Sequence, residues 1–277
     1  MKIYKTAETL EGGLREAWSR NIETGFVPTM GALHEGHLSL IRKAKFDGKL
    51  VVCSIFVNPT QFNNADDLEK YPRPVEEDIA LLEGEGCDIL FLPSEAEIYP
   101  ADYEAEKYDL GNLETMLEGA FRPGHFQGVC QVVHRLLQIV RPQKMYIGQK
   151  DYQQCMVLQK LVEITNSPVK IERVATMRES DGLAMSSRNR RLSAEARIKA
   201  PIIYEALTRV ADGKSRPLPE VLFEARKLLS DNGYIVDYVE VADAATLEVL
   251  AEWNDRPKVV LAAALIDDVR LIDNLMM

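Results

Sequence analysis

Cysteine is scarce in this sequence. The four present, Cys53, Cys87, Cys130 and Cys155, are widely spaced and never form a C-x-x-C pair. That argues against a zinc framework or a disulfide-stapled secreted scaffold, and fits scattered core thiols in a reducing compartment. No run is long and apolar enough to suggest a bilayer span, and the opening MKIYKTAETL lacks the apolar stretch of a signal peptide. The expectation is a cytoplasmic protein. Positive charge is in deficit: 33 Lys and Arg against 43 Asp and Glu leave a net charge of −10. Proteins that coat nucleic acid need clustered Lys and Arg, so that class is disfavoured, while a local basic pocket for a phosphorylated small molecule stays open. Repeats and low-complexity tracts are also missing. What is present is ordinary for a globular chain: 46% hydrophobic and 27% charged over 277 residues, enough for two domains.

Short apolar runs alternate with amphipathic ones. Residues 25–30, 50–57, 88–92, 145–147 and 169–174 read as buried strands, and residues 31–45, 75–83, 128–140 and 152–163 as helices. That alternation predicts a parallel, doubly wound α/β domain, in which ligands bind beyond the carboxyl ends of the strands. After about Thr176 the pattern changes to helix, helix, and strands at 234–241 and 259–266, which places a boundary there and gives domains 1–176 and 177–277.

Four segments carry chemistry. In the first, Pro28 to His37, a strand ends, Gly31 allows a tight turn, and His34 and His37 are spaced to share the first turn of a helix. A helix N-terminus has unpaired N–H groups and a positive dipole end, so two imidazoles there suit phosphate oxygens. The H-E-G-H spacing is one residue short of the zinc-binding H-E-x-x-H. A lone histidine is usually structural, but two of only four placed together weaken that reading. In the second, Asp181 to Asn189, consecutive serines and Arg188 form a triphosphate cradle, weak alone but meaningful beside the histidine motif. The third, Gly148 to Gln154, follows a strand with glycine, lysine and aspartate, and for Asp151 a helix cap is as good an account as a ligand. The fourth, Phe56 to Phe62, offers the neutral amides of Asn58 and Gln61, or else a plain turn.

The stretches PTMGALHEGH, FVNPTQF, LEKYPR, RPGHFQGV, GQKDYQQ and RESDGLAMSSRN together resemble the pantothenate synthetase family, in the family's order and over residues 25–192. The remainder is similar mainly in length and in the ending RLIDN. The resemblance implies a Rossmann-like doubly wound parallel-sheet adenylating domain, of the HIGH-motif nucleotidyltransferase type, followed by a small C-terminal α+β lid domain. It also implies a homodimer, ATP as cosubstrate with Mg²⁺, and (R)-pantoate and β-alanine as the groups joined. By the same resemblance Met30, Gly31, Ala32, Leu33, His34, Glu35, Gly36 and His37 bind ATP, with His37 as proton donor. Gly148, Gln149, Lys150 and Asp151 also bind ATP. Gln61 and Gln154 bind pantoate, and Met185, Ser186, Ser187 and Arg188 close on the phosphates. Two positions depart from the family: Gln149 stands where glutamate is usual and Met177 where valine is usual. Both are expected to meet ATP through backbone atoms.

The expected reaction is attack of the pantoate carboxylate on the α-phosphorus of ATP, then attack of the β-alanine amine on the acyl-adenylate. Positioning and charge stabilisation dominate such chemistry. His34, His37, Lys150 and Arg188 are its expected catalytic residues, with Ser186 and Ser187 beside them on the phosphates. Met30, Phe56, Val129, Val132 and Val133 are candidates for an apolar wall around the pantoate methyls, and core packing explains the valines equally well. No residue is assigned to the metal. Asp78, in the run Glu76-Glu77-Asp78, is weighed as its neighbour, and a solvated helix face is the favoured reading. The competing functions are a nucleotidyltransferase acting on a phosphorylated acceptor, an aminoacyl-tRNA synthetase fragment, and a nucleotide sensor. The shortage of basic residues opposes the first two.

Overall fold

Six short strands pair in parallel in the order β1-β4-β3-β2-β5-β6: β1 (Lys2–Tyr4), β2 (Thr24–Thr29), β3 (Leu50–Ile55), β4 (Ile89–Phe91), β5 (Lys144–Gly148) and β6 (Lys170–Val174). The computed structural model describes residues 1–63 and 65–277, with backbone alone at position 65. Successive side chains of a strand point to opposite faces, and the two faces here have separate cores. Phe26, Val52, Met145 and Ile147 meet Leu10 and Leu14 of α1 (Ala7–Ser19) and the apolar face of a later helix, His125–Val140. Val27, Val51, Cys53 and Tyr146 meet Leu40, Ile41 and Ala44 of α2 (Glu35–Phe46) and Leu82 of α3 (Val75–Gly84). The helix His125–Val140 is α4, and α5 (Tyr152–Ile164) joins the first core through Leu158 and Leu161. The result is the expected doubly wound layer structure.

The chain steps outward through β2, β3 and β4, then returns through α4 to β5 on the other side of β2. The direction therefore reverses between β2 and β5, where Gly25 pairs with Lys144 and Phe26 with Met145. Open α/β sheets bind ligands at such a switch point.

One boundary differs from expectation in a way that matters. Helix α2 begins at Glu35, not at Gly31, because Gly31 (φ +82°) and Ala32 (φ +49°) are both left-handed and cannot continue a right-handed helix. Helix α4 begins at His125, three residues before the expected start, and β1 and α1 had no counterpart in the sequence pattern.

The chain divides into two compact units, Met1–Gln149 with Gln154–Ala175, and Lys150–Gln153 with Thr176–Met277. The second contains an antiparallel sheet in the order β7 (Ile235–Asp243), β8 (Lys258–Ile266), β9 (Val269–Met276). Helices α6 (Ile202–Asp212) and α7 (Leu218–Asp231) cover it, burying Leu207, Val210, Leu222 and Leu229 against Val239, Val241, Val260 and Ala262. Asp267 and Asp268, both with positive φ, form a two-residue hairpin turn between β8 and β9. The short segment Lys150–Gln153 belongs with this unit: the Asn274 side-chain amide donates to the Lys150 carbonyl (2.8 Å) and the Tyr152 hydroxyl to the Ala244 carbonyl (2.7 Å).

All four cysteines are buried thiols. Burial pushes Cys53 well above its ordinary value, Cys87 up to about 11 and Cys130 up to about 12. Among the described residues no helix is long and apolar enough to cross a membrane.

Candidate active site

The loop after β2 is organised by a carboxylate distant in sequence. Asp78, 1% exposed on α3, accepts from the Ala32 amide (2.8 Å) and the Leu33 amide (2.7 Å). Successive N–H groups of a left-handed turn make an anion-binding concavity, and here the protein fills it itself. A Cβ on Gly31 would lie 3.0 Å from Asp78 Oδ2 and 3.0 Å from Ile55 Cγ2, so tight space as well as positive φ favours glycine there. The Thr29 hydroxyl donates to the Ser54 carbonyl (2.7 Å) and accepts from the Gly31 amide (3.2 Å), fastening the turn to β3. Asp78 is therefore buried and not on a solvated helix face, with each carboxylate oxygen engaged by an amide. What Ala32 and Leu33 contribute is the shape of the turn, since their amides are engaged by Asp78 and both side chains are buried.

His34 is the N-cap of α2, with extended backbone, and its Nδ1 accepts from the Gly36 amide (3.1 Å). That acceptor role places the proton of the neutral ring on Nε2. His37 lies in the first turn, its amide bonded to the His34 carbonyl (2.8 Å), and the ring centroids are 4.1 Å apart. The two imidazoles thus stand together at a helix N-terminus. Glu35 is exposed and paired with Arg42. The far end of α2 is pinned as well: Asp47, its C-cap, accepts from Lys43 (2.6 Å), Lys144 (3.0 Å) and Tyr146 (2.9 Å). The Lys43 and Lys144 hydrogen bonds, with help from Tyr146, lower the Asp47 carboxyl to about 2.

Beyond β3, Asn58 is 1% exposed and devoted to structure. Its amide donates to the Gly128 carbonyl (3.1 Å), and its oxygen accepts from the Tyr99 (2.9 Å) and Thr60 (3.0 Å) hydroxyls. Gln61 is half-buried, with its Oε1 3.3 Å from the Asn58 amide and its Nε2 2.8 Å from Met30 Sδ. It thereby joins the ends of β2 and β3. Its backbone carbonyl is 2.8 Å from His125 Nδ1, which must carry the proton because a carbonyl only accepts. Helix α4 presses on this turn: a Cβ at Gly128 would fall 2.3 Å from the Thr60 carbonyl oxygen. Phe56, Val129, Val132 and Val133 are members of the first core, so packing accounts for all four; Met30 is half-buried beside Gln61.

Gly148 ends β5, and a Cβ there would meet nothing within 4 Å. Gln149 opens a 3-10 turn, Gln149–Asp151, and Gln154 is half-buried in the first turn of α5. In the second unit Lys150 Nζ lies 3.5 Å from Asp151. The segment 177–185 folds back as a narrow hairpin, with the Met185 amide on the Met177 carbonyl (3.0 Å) and the Glu179 amide on the Leu183 carbonyl (2.8 Å). Met177 is exposed and contributes its backbone to this closure. Ser186 follows as N-cap of the 3-10 turn Ser187–Arg191, its hydroxyl accepting from the Arg188 amide (3.3 Å). Ser187 is buried and Arg188 half-buried. The anchoring roles of Asp78, Asn58 and His125 escape any local pattern, because each bonds to an element between 45 and 70 residues away along the chain.

A parallel sheet with a direction reversal at β2, and a glycine turn leading to two imidazoles at a helix N-terminus, define a nucleotide-binding enzyme of the doubly wound α/β class. The model of the pantoate-beta-alanine ligase family matches residues 2–276. A pantothenate synthetase of Cereibacter sphaeroides is 48% identical over 277 residues, covering 99% of this chain and 98% of its own; one of Acinetobacter baumannii is 43% identical at the same coverage. The crystal structure of the Thermus thermophilus pantothenate synthetase superposes with a TM-score of 0.93 at 41% identity, covering 99% of both chains. That of the Francisella tularensis pantoate-beta-alanine ligase, complexed with beta-gamma ATP and beta-alanine, gives 0.84 at 37% identity, covering 100% of this chain and 97% of that one. The chain belongs to the pantoate–β-alanine ligase family.

Proposed function

We propose that the protein condenses (R)-pantoate with β-alanine to pantothenate, with ATP converted to AMP and pyrophosphate. A pantoate carboxylate oxygen attacks the α-phosphorus and the bond to pyrophosphate breaks, giving pantoyl-adenylate. The amine of β-alanine then attacks the acyl carbon, loses a proton, and AMP leaves. The observation that carries this reading is the His34–His37 pair at the start of α2, on a turn held rigid by Asp78 at the reversal point of the sheet. Preorganised donors of this kind stabilise charge that grows on phosphate oxygens. The beta-gamma ATP and beta-alanine complexed with the Francisella relative support the same ligands here.

In this reading His34, His37, Lys150, Ser186, Ser187 and Arg188 face the phosphates, and Gln61 and Gln154 hold pantoate. The 185–188 segment closes on ATP, as the C-terminal lid role implies. Among the described residues no group of three His, Cys, Asp or Glu side chains is placed to hold a metal ion, and the Asp78 carboxylate is directed at amides. In this reading Mg²⁺ arrives on the phosphates of ATP and keeps most of its waters. A cytoplasmic homodimer completes the reading, and sedimentation of the purified protein tests the dimer. The decisive assay is release of AMP and pyrophosphate. Sustained turnover that requires both pantoate and β-alanine is expected, with pyrophosphate from the first half-reaction limited to about one equivalent per site when β-alanine is left out; sustained release that ignores β-alanine would replace this reading with another adenylyl transfer.

A further inference from the structure

The RLIDN ending that resembles the family's lies on β9, and its last two residues reach both nucleotide-facing segments of the second unit. Asp273 is 2% exposed and accepts bidentately from Arg178: NH1 to Oδ2 at 2.6 Å and NH2 to Oδ1 at 3.0 Å. Arg178 also donates to backbone, at the Gly182 carbonyl (3.1 Å) and the Asn274 carbonyl (3.1 Å), and its guanidinium lies 3.8 Å from the centre of the Tyr204 ring. Gly182 is at the tip of the 177–185 hairpin, and Arg178 and Ala184 are bridged across it. The returning limb leads straight into Ser186, Ser187 and Arg188, and the Asn189 amide ties back to the Ala184 carbonyl (3.0 Å). One planar fork thus fixes the base and the tip of the hairpin to the last strand, a geometry that lysine could not reproduce. The neighbouring residue does the parallel task for the other segment, because Asn274 Nδ2 holds the Lys150 carbonyl at 2.8 Å. Burial pushes the Asp273 carboxyl above its ordinary value, while Arg178 and, further off, Lys150 pull it back.

We propose that Asp273 and Asn274 are positioning residues for adenylation, Asp273 acting through Arg178 on the Ser186-Ser187-Arg188 turn and Asn274 acting through the Lys150 backbone on the Lys150 ammonium. Neither touches substrate. The inference rests on the proposed condensation, and it makes the first half-reaction, where phosphate charge develops, the one that depends on β9. The second half-reaction, an amine attacking an acyl carbon, depends on it much less.

The test separates the two half-reactions in the full chain. Adenylation is followed as pantoate-dependent exchange of labelled pyrophosphate into ATP, and acyl transfer as AMP release when β-alanine meets preformed pantoyl-adenylate. Asn274→Ala should slow adenylation about 10- to 100-fold, the range expected when a catalytic group is displaced by about 1 Å. Acyl transfer should stay within about twofold. In a Lys150→Ala background, Asn274→Ala should add almost nothing, since both remove the same contribution. Asp273→Asn should behave like Asn274→Ala with a larger loss; if it fails to fold, Asn274→Ala and its double variant still decide the matter. Equal loss in both half-reactions, or losses that multiply with Lys150→Ala, would overturn the proposal. Wild-type protein that makes no pantothenate would instead sink the condensation itself.

Discussion

Asp78 and Asp273 are almost equally buried, 1% and 2% exposed, yet each organises, by different means, a loop that the proposed reading turns toward the nucleotide. Asp78 binds two main-chain amides of the turn itself, so the loop after β2 is held at its backbone. Asp273 binds a side chain, Arg178, which in turn grips the hairpin's carbonyls. An amide pair on a carboxylate leaves no rotatable bonds between anchor and loop. An arginine inserts a flexible stem, and its ordering costs side-chain entropy. The contrast teaches that one loop is held by its own backbone and the other through a side chain: the histidines sit on the first kind and the serine–arginine turn follows the second.

The most direct way to break that comparison is Asp78→Ala. Two buried amides lose a charged acceptor, and each unsatisfied buried donor costs about 1–3 kcal/mol. Chemical denaturation should register a loss of about 3–4 kcal/mol together with loss of activity. A variant with wild-type stability would show that the turn does not need its anchor. If the first loop is rigid scaffold, His37→Ala should leave stability nearly unchanged while turnover falls about 10²- to 10³-fold. Near-normal turnover in the folded variant would remove His37 from the chemistry.

Smaller effects sharpen the picture at its edges. Gln61→Ala and Gln154→Ala should each raise the KM for pantoate about tenfold through lost hydrogen bonds. Calorimetry of ATP binding should stay close to wild type, and an equal fall for ATP would move the glutamines to another subsite. At the far end of α2, Asp47 titrates near 2 in the folded chain against an ordinary 3.8. Its folded value is depressed, so its stabilisation is complete above about pH 4 and disappears as pH falls toward 2. With allowance for solvent at the start of β5, Asp47→Asn should cost about 1–2 kcal/mol at neutral pH. The gap from wild type should close on acidification while turnover at neutral pH is kept. A gap that stays constant from pH 7 to 2 would mean the carboxylate charge is not the cause.

The central strands were legible because 50–57 and 145–147 are short apolar runs with no other home than a buried sheet. The start of α2 was not, since Gly31-Ala32-Leu33 carries no turn signal beyond its glycine and histidine is an unusual N-cap. Strand β9 was missed for a related reason: Asp273 stands where alternation calls for an apolar residue, and Asn274 beside it is a polar residue buried on the opposite face. Their burial makes sense only once Arg178 and Lys150, about a hundred residues earlier, are brought against them. The motifs named the family and the segments proposed to meet its substrates. The anchors beneath those motifs are satisfied by long-range partners, and no local periodicity encodes them.

The four buried thiols have a practical consequence for watching these loops move. A thiol reacts as its thiolate, and burial disfavours that form at Cys53, Cys87 and Cys130 while packing blocks access at Cys155 as well. The native chain is therefore a quiet background for maleimide labelling. A single cysteine placed at exposed Ser180, beside the tip of the hairpin, would take a dye or spin label ahead of every native thiol, so its signal would report on that loop alone.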